Sequence, residues 1–258
     1  LMKSIGIIPA RMGSSRFPNK PMALIHGIPM IGHCYFRSVL CNELDEVYVA
    51  TCDKEIYDYV KRIGGKVVMT SNNHERATER VAEALLTIEN ESKEFFDSVV
   101  MIQGDEPLVF PEMISEVLNP LKDGNHLVSN LISKLSTDKD RDNPNNVKVV
   151  LSKSNNILYL SREAVPSKKI FSGKIDSYRQ LGLIAFKSEA LKNFISLETT
   201  KLEIIESVDM NRFLENGIKI FSVITNFEVD SVDIPSDLLR VVKKMANDKL
   251  FKKYNNKF

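Results

Sequence analysis

Short apolar runs alternate with helically spaced stretches through the first hundred residues. The segments "SIGIIPA", with a first strand expected over Lys3 to Pro9, "EVYVAT" (Glu46 to Thr51), "KVVMT" (Lys66 to Thr70) and "SVVMIQ" (Ser98 to Gln103) are nearly continuous in apolar and β-branched residues. That is the composition of strands buried on both faces. Between them, helices are predicted from about Pro29, from Lys54 and from about Thr78. Such alternation predicts βαβ units and an α/β fold, a mainly parallel sheet flanked by helices. After Asn119 the pattern changes to short strand candidates separated by polar loops, "HLVSNLIS", "NVKVVLS", "NILYLSR" and "YRQLGLIAFK", which predict a more antiparallel region over about 120–190. Helices from about Ser188 and Glu203, a strand "IKIFSVI" and a helix from Pro235 complete the chain. The lysine-rich tail "NDKLFKKYNNKF" is expected to fray. With no internal repeat and no low-complexity linker, a single domain over 1–258 is expected, and the antiparallel region belongs to it.

Composition narrows the function classes. The 258 residues, 43% hydrophobic and 27% charged with a net charge of +1, describe an ordinary globular chain without a nucleic-acid or membrane signature. No run approaches the roughly 18 apolar residues that span a bilayer, and the start lacks the regions of a signal peptide, so a cytoplasmic protein is expected. Cys34, Cys41 and Cys52 are odd in number without C-x-x-C spacing, which points to reduced, mostly buried thiols.

A basic loop in a near-neutral chain points to a local anion site. "IIPARMGSSRFPNKP" carries Arg11, Arg16 and Lys20 among small residues directly after the first strand. Ligands of open α/β sheets bind beyond the carboxyl ends of strands. Gly13, Ser14 and Ser15 allow backbone N–H groups close to an anion, and the three cations neutralise phosphate oxygens. A polyphosphate fits. The loop is not a Walker motif, because Pro18, Asn19 and Lys20 stand where its second glycine and following residues belong, and no G-x-G-x-x-G follows a strand.

"QGDEP", Gln103 to Pro107, is expected on the same edge as this loop. Two acids beside a polyphosphate repel it unless a cation intervenes, and Mg²⁺ typically combines one or two carboxylates with phosphate oxygens. Asp105 is therefore a metal candidate, with helix capping before Pro107 as the plainer alternative. "FEVDSVDIPSDL" offers Asp230 and Asp233, the latter equally suited to capping the helix from Pro235. "HERATERVAEAL" opens another helix on this edge, where Arg76 could meet a base, a ribose or a phosphate, or Thr78 could simply cap. His74 is equally open, and His26, His33 and His126 are expected to be structural.

In order, "IIPARMGSSRFPNKP", "TSNNHERATERVAEA", "QGDEP", "NPNNVKVV", "YRQLG", "LEIIESVDMNRFLENG" and "SVDIPSDL" resemble the CMP-Kdo synthetases, the 3-deoxy-manno-octulosonate cytidylyltransferases, over nearly the whole chain. The resemblance implies a Rossmann-like, nucleotide-diphospho-sugar transferase type of fold with a smaller antiparallel dimerisation and sugar-binding region. It implies that the anomeric hydroxyl of a 3-deoxy-2-ulosonic acid attacks the α-phosphorus of CTP, giving a CMP-sugar and pyrophosphate for surface glycan and lipopolysaccharide synthesis. Mg²⁺ and a homodimer are also implied. Carried over residue by residue, Ala10, Arg11, Gly13, Ser14, Ser15, Arg16, Lys20, Arg76 and Gln103 hold the nucleotide. Arg11, Lys20 and Asp105 are catalytic, and Asp105 and Asp233 hold the metal. Arg16, Gln103, Arg162, Tyr178, Gln180, Glu206 and Asp209 hold the sugar acid.

The chain departs from the family's usual pattern near the substrates. Where H-x-S-G-T-[DE]-R is usual, it has His74, Arg76, Ala77, Thr78, Glu79 and Arg80. Where Y-R-H-L-G is usual it has Gln180, and Val208 to Arg212 replace L-E-Q-L-R. Lost imidazole and amide groups change which sugar polar groups are satisfied. The 8-amino analogue of Kdo or another ulosonic acid is therefore the alternative substrate. A nucleotide-sugar-dependent glycosyltransferase is the alternative class, although Gly104-Asp105-Glu106 is not its Asp-x-Asp motif.

Overall fold

A computed structural model describes residues 2–13, 16–171, 173 and 175–255. In chain order the elements are β1 (Ser4–Ala10), β2 (Leu24–Ile25), β3 (Ile28–Pro29), α1 (Met30–Val39), β4 (Glu46–Thr51), α2 (Lys54–Arg62), β5 (Lys66–Met69), α3 (Ala77–Ser92), β6 (Ser98–Met101) and α4 (Pro111–Leu118). There follow β7 (Val128–Lys134), α5 (Asp138–Asp142), β8 (Lys148–Leu151), β9 (Ile157–Ser161), β10 (Tyr178–Lys187), α6 (Ser188–Phe194), α7 (Lys201–Glu206), α8 (Met210–Glu215), β11 (Phe221–Thr225) and α9 (Pro235–Met245). The chain forms two compact units, Leu1–Ser115 with Glu228–Phe258, and Glu116–Phe227.

In the first unit β6, β1, β4 and β5 lie in that order, every neighbouring pair parallel. Their apolar runs follow from position: Ile5, Ile7 and Ile8 of β1 are wholly buried, so no solvent-facing polar alternation is needed. Because the strands share a direction, the loops after β1, β4, β5 and β6 leave from one edge. Gly104 belongs to that edge for a steric reason, since a Cβ there would meet the Pro9 carbonyl oxygen at 2.8 Å.

In the second unit β7 pairs with β11 in parallel and with β10 antiparallel, β8 pairs antiparallel with β10, and β9 with β8. The change of pattern after Asn119 is thus a change from parallel to mainly antiparallel pairing. The register of β10 against β7 shifts between Gln180 and Ile184. Fully buried Asn130 fills the gap, its amide donating to the Leu181 and Leu183 carbonyls at 3.0 and 3.1 Å.

The tail does not fray within the described residues, contrary to its composition. Phe251–Lys253 form a 3-10 turn, and Tyr254 is 2% exposed. The Tyr254 hydroxyl meets His33 Nδ1 at 2.8 Å and accepts from Arg37 Nε at 3.1 Å, while Arg37 also pairs with Asp248. A fully buried guanidinium on α1 needs these partners, and the rings of Phe251 and Tyr254, set against His33 and Phe36, make the described tail a piece of core. His26 and His126 have structural places too, His26 against the Val242 carbonyl at 2.8 Å and His126 on the Phe221 ring at 4.2 Å. Cys34 and Cys41 are buried, Cys52 is partly so, and all three are free thiols.

Replacing Tyr254 with Phe keeps the ring but strands Arg37 and His33, so unfolding free energy from urea denaturation should drop by about 1–3 kcal/mol. A frayed tail would show no change. Burial, with the Arg37 guanidinium nearby, pushes the His33 imidazole down to about 4. The unfolded chain therefore binds the extra proton first, and stability should fall as pH drops from about 6.5 towards 4, then level off with respect to this group. Urea midpoints across that range should vary less in His33→Gln.

Candidate nucleotide-binding site

The loop after β1 folds back on the carboxyl edge of the first unit. The Met12 N–H donates to Asp53 Oδ2 at 2.7 Å, and the Asn19 N–H to the Met12 carbonyl at 3.3 Å. Asn19, in the left-handed region at φ 60°, turns the chain into the Lys20–Met22 3-10 turn. The turn aims the Lys20 side chain inward, where Nζ donates to Asp105 Oδ2 at 2.7 Å and to the Val232 carbonyl at 2.8 Å. The Val232 N–H in turn donates to the Asp105 carbonyl at 2.9 Å. Next along the chain, Asp233 pairs with Arg16 at 2.9 Å.

Asp233 does not cap α9. Asp237 does so from inside the helix, its carboxylate accepting from the Asp233 and Ile234 N–H groups at 3.0 and 3.1 Å. That leaves the Asp233 carboxylate for Arg16. Asp230 takes yet another part, pairing with Arg240 and Lys244 at 2.9 and 2.7 Å. Burial opposes its ionisation, but these hydrogen bonds outweigh it and hold the carboxyl below its usual range.

A pocket of about 320 Å³ opens over this edge, and its walls include Ala10, Arg11, Gly13, Arg16, Lys20, Arg76, Gln103 and Asp105. Of the residues assigned to nucleotide and catalysis, these eight are brought together, and Asp233 joins them through Arg16. Ser14 and Ser15 lie outside the described residues. A Cβ on Gly13 would meet nothing within 4 Å, so the space beside it is open to a ligand. Arg76 holds the N-cap position of α3, not Thr78, which is fully buried. His74 reaches the same walls and pairs with Glu83, whose carboxylate also accepts from the Ser71 N–H at 3.0 Å. Sequence reasoning did not single out Arg80 as a site residue, although it too lines the pocket. Its match to the closing Arg of the family's usual H-x-S-G-T-[DE]-R pattern was the available signal.

The residues assigned to the sugar acid, apart from Arg16 and Gln103, lie in the second unit. Glu206 is 8% exposed and accepts from the Arg162 N–H, Tyr159 and Ser161 at 2.7, 2.7 and 2.9 Å. Burial pushes the carboxyl up, but the three donors win and hold it below its usual range. The Arg162 guanidinium donates to the carbonyls of Glu206 and Pro144 at 2.8 and 3.0 Å. Gln180 donates to Asn130 Oδ1 at 2.7 Å, Tyr178 opens β10 opposite Lys134, and Asp209 is the N-cap residue of α8. Lys148, unremarked from sequence, is fully buried, and its ammonium donates to the carbonyls of Asn143, Asn146 and Arg162. Burial pushes its pKa down. Three carbonyls satisfy all three of its donors.

Comparison with known proteins gives a consistent result. The cytidylyltransferase family model matches residues 5–220. A 3-deoxy-manno-octulosonate cytidylyltransferase of Thermodesulfovibrio yellowstonii is 40% identical over 253 residues, 95% of this chain and 99% of that protein. One of the same name from Parabacteroides distasonis is 40% identical over 96% of this chain and its own full length. The solved structure of CMP:2-keto-3-deoxy-manno-octonic acid synthetase complexed with CTP superposes with a TM-score of 0.86 at 33% identity, covering 95% of this chain and 98% of that one.

Proposed function

The chain belongs to the cytidylyltransferase family, and from that premise we propose that it transfers CMP from CTP to 3-deoxy-manno-octulosonate, releasing pyrophosphate. The observation that carries the reading is the Lys20 ammonium held between the Asp105 carboxylate and the Val232 carbonyl, beside the Arg16–Asp233 pair. These groups stand where a triphosphate meets a sheet's carboxyl edge.

The resting pairs prepare an exchange of partners. Lys20 and Arg16 turn from the aspartates to phosphate oxygens, joined by Arg11 and by the N–H groups of the glycine-containing loop. Asp105 and Asp233 are left as two carboxylates on adjoining backbone. Such a donor set fits Mg²⁺, which needs few protein ligands because phosphate and water oxygens complete its shell; no group of three or more His, Cys, Asp or Glu side chains is assembled among the described residues. Bound there, the ion would polarise the phosphoryl oxygens and lower the pKa of the sugar hydroxyl. Lys20 and Arg11 stabilise the charge that grows on the α-phosphoryl group and the departing pyrophosphate. The hydroxyl oxygen is the nucleophile, so no side chain need be acylated or phosphorylated.

In the second unit, Tyr178, Gln180 and Asp209 serve the sugar acid, while Arg162 and Glu206 hold β9 and α7 in place. The protein works as a homodimer and supplies an activated sugar for surface glycan assembly. Among the described residues no helix is long and apolar enough to cross a membrane.

Pyrophosphate release with CTP and Mg²⁺ tests the reading, with Kdo, its 8-amino analogue and a nine-carbon ulosonic acid as acceptors and UTP as control. Kdo and CTP should be turned over, and EDTA should stop the reaction reversibly. Asp105→Asn and Lys20→Ala should each lower kcat by about 100-fold or more, against a stability change of about 1–2 kcal/mol for a part-exposed pair. Near wild-type rates in either variant would remove that residue from the mechanism.

A further inference from the structure

A second pocket, of about 360 Å³, shares no lining residue with the first. Leu108 and Phe110, which follow the acidic turn, and Leu250 of the tail supply its apolar wall. Its remaining walls carry charge and come from the approach to α9, from α9 itself and from the turn after it. All of these residues belong to the first unit. A concave, largely apolar space of this size with a few polar groups around it is the form that small-molecule sites take. The proposed transfer makes no use of it.

The charged walls decide which kind of ligand fits. Both carboxylate oxygens of Asp230 are engaged, Oδ1 by Arg240 at 2.9 Å and Oδ2 by Lys244 at 2.7 Å. Those of Asp248 are engaged too, Oδ2 by Arg37 and Oδ1 by the Leu250 N–H at 2.7 Å. The Glu228 side chain is 88% exposed and reaches Lys244 at 3.1 Å. Lys249 is the exception: it lines the pocket, is exposed, and makes no ion pair or hydrogen bond among the described residues. A cationic ligand would find the buried acids already matched. A carboxylate finds an ammonium ready to receive it.

We propose that this pocket binds a small amphipathic carboxylate, its hydrocarbon body against Leu108, Phe110 and Leu250 and its head on the Lys249 ammonium. The body supplies most of the affinity, since each methylene fully removed from water is worth about fourfold. The head selects the sign of charge, and the flexible lysine stem lets the ammonium follow it. Leu108 also belongs to the buried cluster that contains Val232, so an occupant rests on the packing that supports the Lys20 clamp while the nucleotide pocket stays free.

Isothermal titration of the full chain with octanoate, hexanoate, acetate and octylamine tests body and head separately. Octanoate should saturate one site with a Kd of about 1 mM or below. Hexanoate should bind about 3- to 15-fold more weakly, acetate not measurably, and octylamine at least about 10-fold more weakly than octanoate. Lys249→Ala, an exposed substitution that leaves the core untouched, should weaken octanoate by about 3- to 10-fold. Lys252→Ala, in the same tail but outside the pocket lining, should change nothing, and an excess of CTP with Mg²⁺ should leave the octanoate Kd as it was. Absence of saturation by about 10 mM octanoate overturns the proposal, as does octylamine binding as well as octanoate. An unchanged Kd in Lys249→Ala overturns it too. So does an equal loss in Lys252→Ala, which would mean a general attraction to the basic tail, or competition with CTP, which would place the carboxylate on the cations of the first pocket.

Discussion

The Lys20 ammonium donates at once to the Asp105 carboxylate and the Val232 carbonyl, and the Val232 N–H closes the ring on the Asp105 carbonyl. Three segments far apart in sequence, the loop after β1, the turn after β6 and the approach to α9, are thereby fixed to one another. Asp233 follows Val232 directly, so the same ring sets its place beside Arg16. Gly104 allows the ring to form, because any side chain there would push Asp105 away from the β1 exit. A cation between two acids is thus both the core of the proposed chemistry and the fastening that assembles it.

That fastening rests on an apolar floor supplied by both ends of the first unit. Ile25, Met30, Leu108, Val232, Val241 and Met245 form a buried cluster, against which Phe17 and Phe251 pack. Phe17 belongs to the basic loop, Leu108 follows the acidic turn, and Val232 accepts the lysine. Phe251 belongs to the tail, which Tyr254, His33, Arg37 and Asp248 hold down. A polar clamp on α1 therefore reaches the loop through side-chain packing, where any loosening is felt because protein interiors are close-packed.

Much of this was legible in the sequence. The strand "EVYVAT" and the helices beginning at Lys54 and Pro235 stand where the pattern put them, because their periodicity is strong and turn residues bound them. The parallel half and the family were legible for the same reason, as apolar runs and ordered motifs are local signals. The tail was misread because composition carries no information on contacts made two hundred residues away: its lysines sit beside Phe251 and Tyr254, whose partners His33 and Arg37 belong to α1. Asp233 and Asp230 looked alike in sequence, and only the capping of α9 by Asp237 distinguishes the carboxylate left for Arg16 from the one spent on Arg240 and Lys244. Lys148 gave no signal in the sequence, because its burial depends on three carbonyls that no spacing rule brings together.

The charge arrangement explains how a chain of net charge +1 can hold a strongly anionic ligand. At rest, Lys20 and Arg16 are matched by Asp105 and Asp233, so two of the cations that line the pocket are neutralised until a ligand arrives. A triphosphate alone must displace the acids from their cations and then face them, which is repulsive. A divalent cation arriving with it gives the acids a new partner as the basic residues take up the phosphates. Pairing at rest therefore weakens the response to anions without a metal, and it selects for the metal complex over the free nucleotide.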